Sequence, residues 1–146
     1  MSKGRLAQIL VCIGGLAASA TASAANCNVS AIGVAFGTYN VFSSTPTDIT
    51  GSVTVTCNRT TPFTIALSTG SGTYSSRSLK SGTNILSYNL FTDATRLTIW
   101  GDGSSGTQTV SGSSTNATFT VYGRIAARQN AKIGSYTDTV TVTVTY

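Results

Sequence analysis

Val140, Val142, Val144 and Tyr146 alternate with Thr139, Thr141, Thr143 and Thr145 at the end of this 146-residue chain. Successive side chains of a strand point to opposite faces, so a period of two predicts a half-buried β-strand. Valine and threonine also suit a pleated surface, because their branched side chains are stiff and pack well on it. The same period recurs upstream. Ile32, Val34 and Phe36 form one run, and Val53, Val55 and Cys57 a second. Phe63, Ile65 and Leu67 form a third, and Phe119, Val121 and Gly123 a fourth.

Polar, Gly/Ser-rich stretches separate these runs. Ser43-Ser44-Thr45-Pro46, Thr69 to Ser76, Gly101 to Gly106 and Ser111 to Asn116 read as turns. Asp48 and Asp102 sit in turn sequences, where an aspartate commonly bonds nearby backbone. On this reading Cys27 lies just before the first strand and Cys57 ends the second. Short strands spaced by polar turns predict an all-β fold, a β-sandwich. The sequence shows no internal repeat, linker or second domain.

The N-terminus has a different character. Lys3 and Arg5 precede an apolar run from Leu6 to Ala18, and Ala22-Ser23-Ala24 follows. This layout predicts a cleavable secretory signal over residues 1–24 and a mature domain over residues 25–146. The run is shorter than the roughly 20 residues that a membrane-spanning helix needs. No second apolar stretch of that kind follows, so no membrane insertion is expected.

Removing the signal removes Cys12 and leaves Cys27 and Cys57. Two cysteines in an oxidising compartment are expected to form one disulfide. With no histidine in the chain, a zinc site built on them lacks its usual partners. The remaining basic residues are Arg59, Arg77, Lys80, Arg96, Arg124, Arg128 and Lys132. They form no run and are not interleaved with aromatics, so they read as a solvated surface and argue against nucleic-acid binding.

Catalytic chemistry has little to draw on. A nucleophile needs a base, usually histidine, and there is none. The acids are Asp48, Asp93, Asp102 and Asp138, and their spacing pairs no two of them for hydrolysis. No phosphate-binding loop is present, and no cofactor or metal is expected. Tyr74, Tyr88 and Trp100 are aromatics of the kind that line sugar platforms, but core or turn packing is their commoner use. These features predict a structural or binding protein, not an enzyme.

Several segments together carry a family resemblance. They are Cys27-Asn28-Val29-Ser30-Ala31, Val34 to Tyr39, Gly51 to Cys57, Leu86 to Asp93, Ile99 to Gly103, Val121 to Ile125 and Gly134 to Tyr146. As an ordered set they resemble the spore coat protein U domain family, across essentially the whole mature chain. Ala126 departs from the family pattern, which often has proline there. That family resembles the subunits of archaic chaperone-usher pili. The resemblance implies an immunoglobulin-like β-sandwich that is incomplete, missing its last strand, and is completed by a donor strand. It implies as partners a periplasmic pilus chaperone, an outer-membrane usher and other pilin subunits. It implies export via the periplasm to a fimbrium on the cell surface, and a role in surface adhesion or biofilm formation.

Within that framework the final strand, through Val140, Val142, Val144 and Tyr146, is expected to line the groove that takes the partner's strand. Cleavage after Ala24 leaves only Ala25 and Asn26 before Cys27. A subunit with no longer extension accepts a strand but gives none, which predicts a place at the pilus tip. The alternative is a self-sufficient secreted coat or matrix protein that does not polymerise.

Overall fold

A computed structural model describes residues 23–146. The expected signal, residues 1–24, lies almost wholly outside the described residues. The strands are β1 (Cys27–Ile32), β2 (Thr38–Tyr39), β3 (Thr47–Leu67), β4 (Arg77–Ser81), β5 (Asn84–Phe91), β6 (Val110–Ile125), β7 (Gly134–Ser135) and β8 (Val142–Thr145). The fold is all-β, as the alternation predicts. Six strands form one curled sheet in the order β1-β3-β6-β5-β4, with β8 also on β3. β2 and β7 make a separate two-stranded ribbon.

β3 and β6 make the sandwich by bending. They pair antiparallel from Thr47 opposite Ile125 to Ile65 opposite Val110, with a register shift between Thr56 and Thr61. A bulge of this kind bends a strand and raises its twist. One half of β3 therefore carries β1, with Cys27 opposite Cys57, and the other half carries β8, with Leu67 opposite Val142. At the bend Cys27 and Cys57 form a disulfide. Asn58 N–H donates to Asn26 O at 3.0 Å, and Asn26 N–H donates to Asn58 Oδ1 at 3.1 Å.

The inward side chains close over one core. Val53, Val55, Phe63, Ile65, Leu86 and Trp100 are buried within it. Trp100 donates its indole N–H to Ile65 O at 3.1 Å, so its one polar atom is satisfied.

Four local expectations are corrected. Ser111 to Asn116 is strand, not turn, and belongs to β6. Its inward positions are Gly112 and Ser114, which left no apolar pattern to find. The rings of Phe63 and Phe119 fill that space: a β-carbon on Gly112 would stand 2.8 Å from Phe63 Cζ. Cys57 does not end a strand, because β3 continues through the bend to Leu67. Asp48 lies in β3, where its carboxylate takes a bidentate pair of bonds from Arg124 at 2.7 Å each.

Arg77, finally, is not a solvated charge but is 0% exposed. Its guanidinium donates to Ser68 O at 3.1 and 2.8 Å, to Trp100 O at 2.7 Å and to Asn89 Oδ1 at 2.6 Å. Tyr74 lies under it at 5.5 Å. Burial pulls the Arg77 pKa down, and the nearby Tyr88, Tyr74 and Asp138 oppose that shift.

Candidate functional site

An apolar groove of about 760 Å³ opens among the described residues. Its floor is Val53, Leu67, Leu79, Tyr88, Leu90 and Val121. One wall is the segment 31–37, and the other is the segment 135–140 with Val142.

The first wall follows from two glycines. β1 ends at Ile32, so the Ile32, Val34 and Phe36 run is not one strand as its alternation predicts. After Ile32 the chain crosses the inner face of the sheet. A β-carbon on Gly51 would meet Ile32 O at 2.4 Å, and one on Gly123 would meet Val34 Cγ1 at 2.6 Å. Glycine inside a strand commonly marks such a close backbone approach. Those two glycines were the available signal for this wall. Phe36 then packs edge-on to Tyr88 with ring centroids 5.8 Å apart.

The second wall is tied to the floor. Tyr88 donates its hydroxyl proton to Asp138 Oδ2 at 2.7 Å, and Asp138 Oδ1 accepts Ser71 N–H at 3.0 Å. Burial pushes the Tyr88 phenol pKa well up, and the bond to Asp138 adds to the shift. Thr137 and Lys80 exchange backbone bonds of 3.0 and 2.8 Å. Thr141 O accepts Ser68 N–H at 3.0 Å.

The four residues expected at the groove are not all brought to it. Val140 and Val142 line it. Val144 is half-buried against the core but outside the lining, and Tyr146 is exposed. Among the described strands β8 pairs only with β3, so one of its backbone edges is unpaired. Tyr88 and Trp100 are buried, so they form no exposed sugar platform. Among the described residues no three Asp, Glu, Cys or His side chains cluster as metal ligands would, and no helix is long and apolar enough to cross a membrane.

A curled all-β sandwich with a disulfide at its corner and an open apolar groove is the architecture of a pilin-type subunit. The chain belongs to the spore coat protein U family: a family profile described as the Spore Coat Protein U domain matches residues 14–143. It is similar to Protein U of Myxococcus xanthus, with 34% identity over 125 residues, covering 76% of this chain and 70% of that one. It is also similar to a chain in the crystal structure of the CsuC–CsuE chaperone–tip adhesion subunit pre-assembly complex, from the archaic chaperone-usher Csu pili of Acinetobacter baumannii. There the TM-score is 0.63 and the identity 25%, over 84% of this chain. This chain spans 40% of the length of that one. The fold is thus shared with a chain of a chaperone–pilus subunit complex.

Proposed function

We propose that the chain is a fimbrial subunit of the archaic chaperone-usher type whose groove takes a strand from a partner. The groove itself supports this most. Two chain segments stand apart over an apolar floor, and β8 keeps a free edge beside it. An extended segment laid there would bond to backbone and set alternate side chains on Leu79, Leu90 and Val121. A periplasmic chaperone would supply that strand first. An outer-membrane usher would then exchange it for the strand of another subunit.

A place at the pilus tip, serving adhesion or biofilm formation, is part of this proposal. It rests on the expected cleavage after Ala24 and on the likeness to a complex containing a tip adhesion subunit.

Co-expression with the chaperone from the same genome tests the reading. Val142→Asp puts a charge into the apolar groove, where an unpaired charge is costly. It should abolish co-purification with the chaperone, whereas Thr143→Ala, on the outward face, should leave it intact. Equal recovery of both variants would overturn the groove assignment. A stable, monodisperse monomer that ignores the chaperone would favour the self-sufficient coat protein instead.

A further inference from the structure

One pole of the sandwich is built to display apolar side chains. Three loops meet there around a second cavity of about 370 Å³, lined by Val41, Asn84, Ile85, Asn130, Ala131 and Lys132. The loop after β2 turns at Asn40, whose carbonyl accepts Ser43 N–H at 3.2 Å and whose Oδ1 accepts Phe42 N–H at 3.0 Å. Phe42 stands at the tip of that turn, 89% exposed. Ile85, just past the β4–β5 turn, is 58% exposed, and Ile133, just before β7, is 68% exposed.

These side chains are held out by well-anchored backbone. Tyr39 Oη accepts Gln129 N–H at 2.9 Å. The Gln129 side chain donates to Ser87 O at 2.6 Å and accepts Ser87 N–H at 2.8 Å. Tyr136 donates to Lys132 O at 2.7 Å. The β2–β7 pairing, Tyr39 opposite Gly134, sets the first and third loops side by side.

The charge around this pole has one sign. Lys80 faces Ile85 across the hairpin, Lys132 lines the cavity, and Arg128 precedes Gln129. All three are exposed, and none makes an ion pair among the described residues. The chain's four acids are engaged elsewhere. Asp48 pairs with Arg124 and Arg96, and Asp138 accepts from Tyr88. Asp93 and Asp102 bond within their own loops.

Exposed apolar side chains ringed by cations alone fit an anionic amphiphile. An isoleucine offers a sugar ring neither a flat face nor a hydrogen bond, which disfavours a glycan. We propose that this pole docks on an anionic lipid surface. Phe42, Ile85 and Ile133 enter the headgroup–acyl boundary, and Lys80, Arg128 and Lys132 meet the headgroups. The proposal is independent of the groove.

Co-sedimentation of the purified chain with vesicles tests it. The chain should bind phosphatidylglycerol–phosphatidylcholine vesicles, bind pure phosphatidylcholine vesicles poorly, and release as salt rises. Phe42→Ser with Ile133→Ser should weaken binding by about tenfold or more, through lost apolar burial. Lys132→Glu should weaken it by about fivefold or more. Leu97 is 83% exposed but sits in the Asp93 loop beyond the far end of β5. Leu97→Ser should change nothing. Circular dichroism melts show that each variant is folded, and Ile85→Ser replaces the double variant if that one is not. No binding to anionic vesicles would overturn the proposal. So would equal binding to neutral ones, which marks a generally adhesive apolar pole, or a loss on Leu97→Ser matching that of the double variant.

Discussion

The Tyr88 hydroxyl reaches from the floor of the groove to Asp138 in its wall, at 2.7 Å. A bond from a buried phenol to a carboxylate is charge-assisted and contributes about 1.5–3 kcal/mol. Tyr88→Phe should lower stability by about that much at pH 8. The Tyr88 pKa is raised in the folded state, so its contribution is full below the unfolded value of about 10 and is lost as pH rises further. Urea melts from pH 8 to 11 should show the gap between the wild type and Tyr88→Phe closing above about pH 10. A constant gap would argue against the assignment.

Acid should act through the carboxylates. The Arg124 hydrogen bond holds the Asp48 pKa below its usual range. The Thr95 hydroxyl and the Thr98 and Leu97 amides hold Asp93 at about 2. Both folded values lie below the unfolded one, so this stability is present above about pH 4 and lost as pH falls. Asp48→Asn should cost under about 1 kcal/mol at pH 7, because the pair is largely solvated. That difference should shrink towards pH 2. The chain has no histidine and its two described cysteines are bonded, so melting should be nearly flat from pH 5 to 9. A sharp midpoint near pH 6.5 would contradict this.

Arg77 is irreplaceable by lysine. Its fork satisfies Ser68 O, Trp100 O and Asn89 Oδ1 together. An ammonium is a point charge without that planar fork. Arg77→Lys should cost about 3 kcal/mol, since unpaired buried acceptors cost about 1–3 kcal/mol each. Thermal melting of the purified variant measures it.

Gly123→Ala should separate stability from partner binding. The new β-carbon would stand 2.6 Å from Val34 and 2.8 Å from Phe36, and must lift the first wall. Overpacking of this kind costs about 1–3 kcal/mol. Affinity for a donor-strand peptide should fall further than that loss of stability alone accounts for. Unchanged peptide affinity would place the binding edge elsewhere.

Cys27→Ser opens a loop with a sequence separation of 30. In the chain-entropy model such a bridge contributes about 3.5 kcal/mol, a large part of typical domain stability. Unfolding free energies from denaturant melts of the variant and of the oxidised parent should differ by that amount. Equal values would show that the bend holds without the bridge.

The sequence disclosed what period two can disclose. Val53, Val55, Phe63, Ile65 and Val121 point inward as their alternation demands. Val140 and Val142 reach the groove for the same reason. It did not disclose contacts that depend on chain crossing. Ser68, Asn89 and Trp100 surround Arg77 from separate segments, and no local pattern predicts that meeting. Likewise Val34 and Phe36 look like strand residues, yet they ride over Gly123 because the chain leaves β3 after Ile32. The Ser111–Asn116 stretch was hidden because aromatic rings from other positions supply its packing.

The length of β3 also sets an order of events as the chain emerges from its N-terminus. β1 and the first half of β3 emerge close together, so Cys27 can bond Cys57 early. The opposite edge of β3 must wait, because Thr54 pairs with Thr118 and Ile65 with Val110. Until β6 arrives, a 21-residue strand carries an unfilled edge. Long-range pairing of this kind is slow, and a bare edge is where chains cross-associate. The interval between the emergence of Leu67 and that of Ile125 is thus the window in which a newly made chain is most open to pairing with its neighbours.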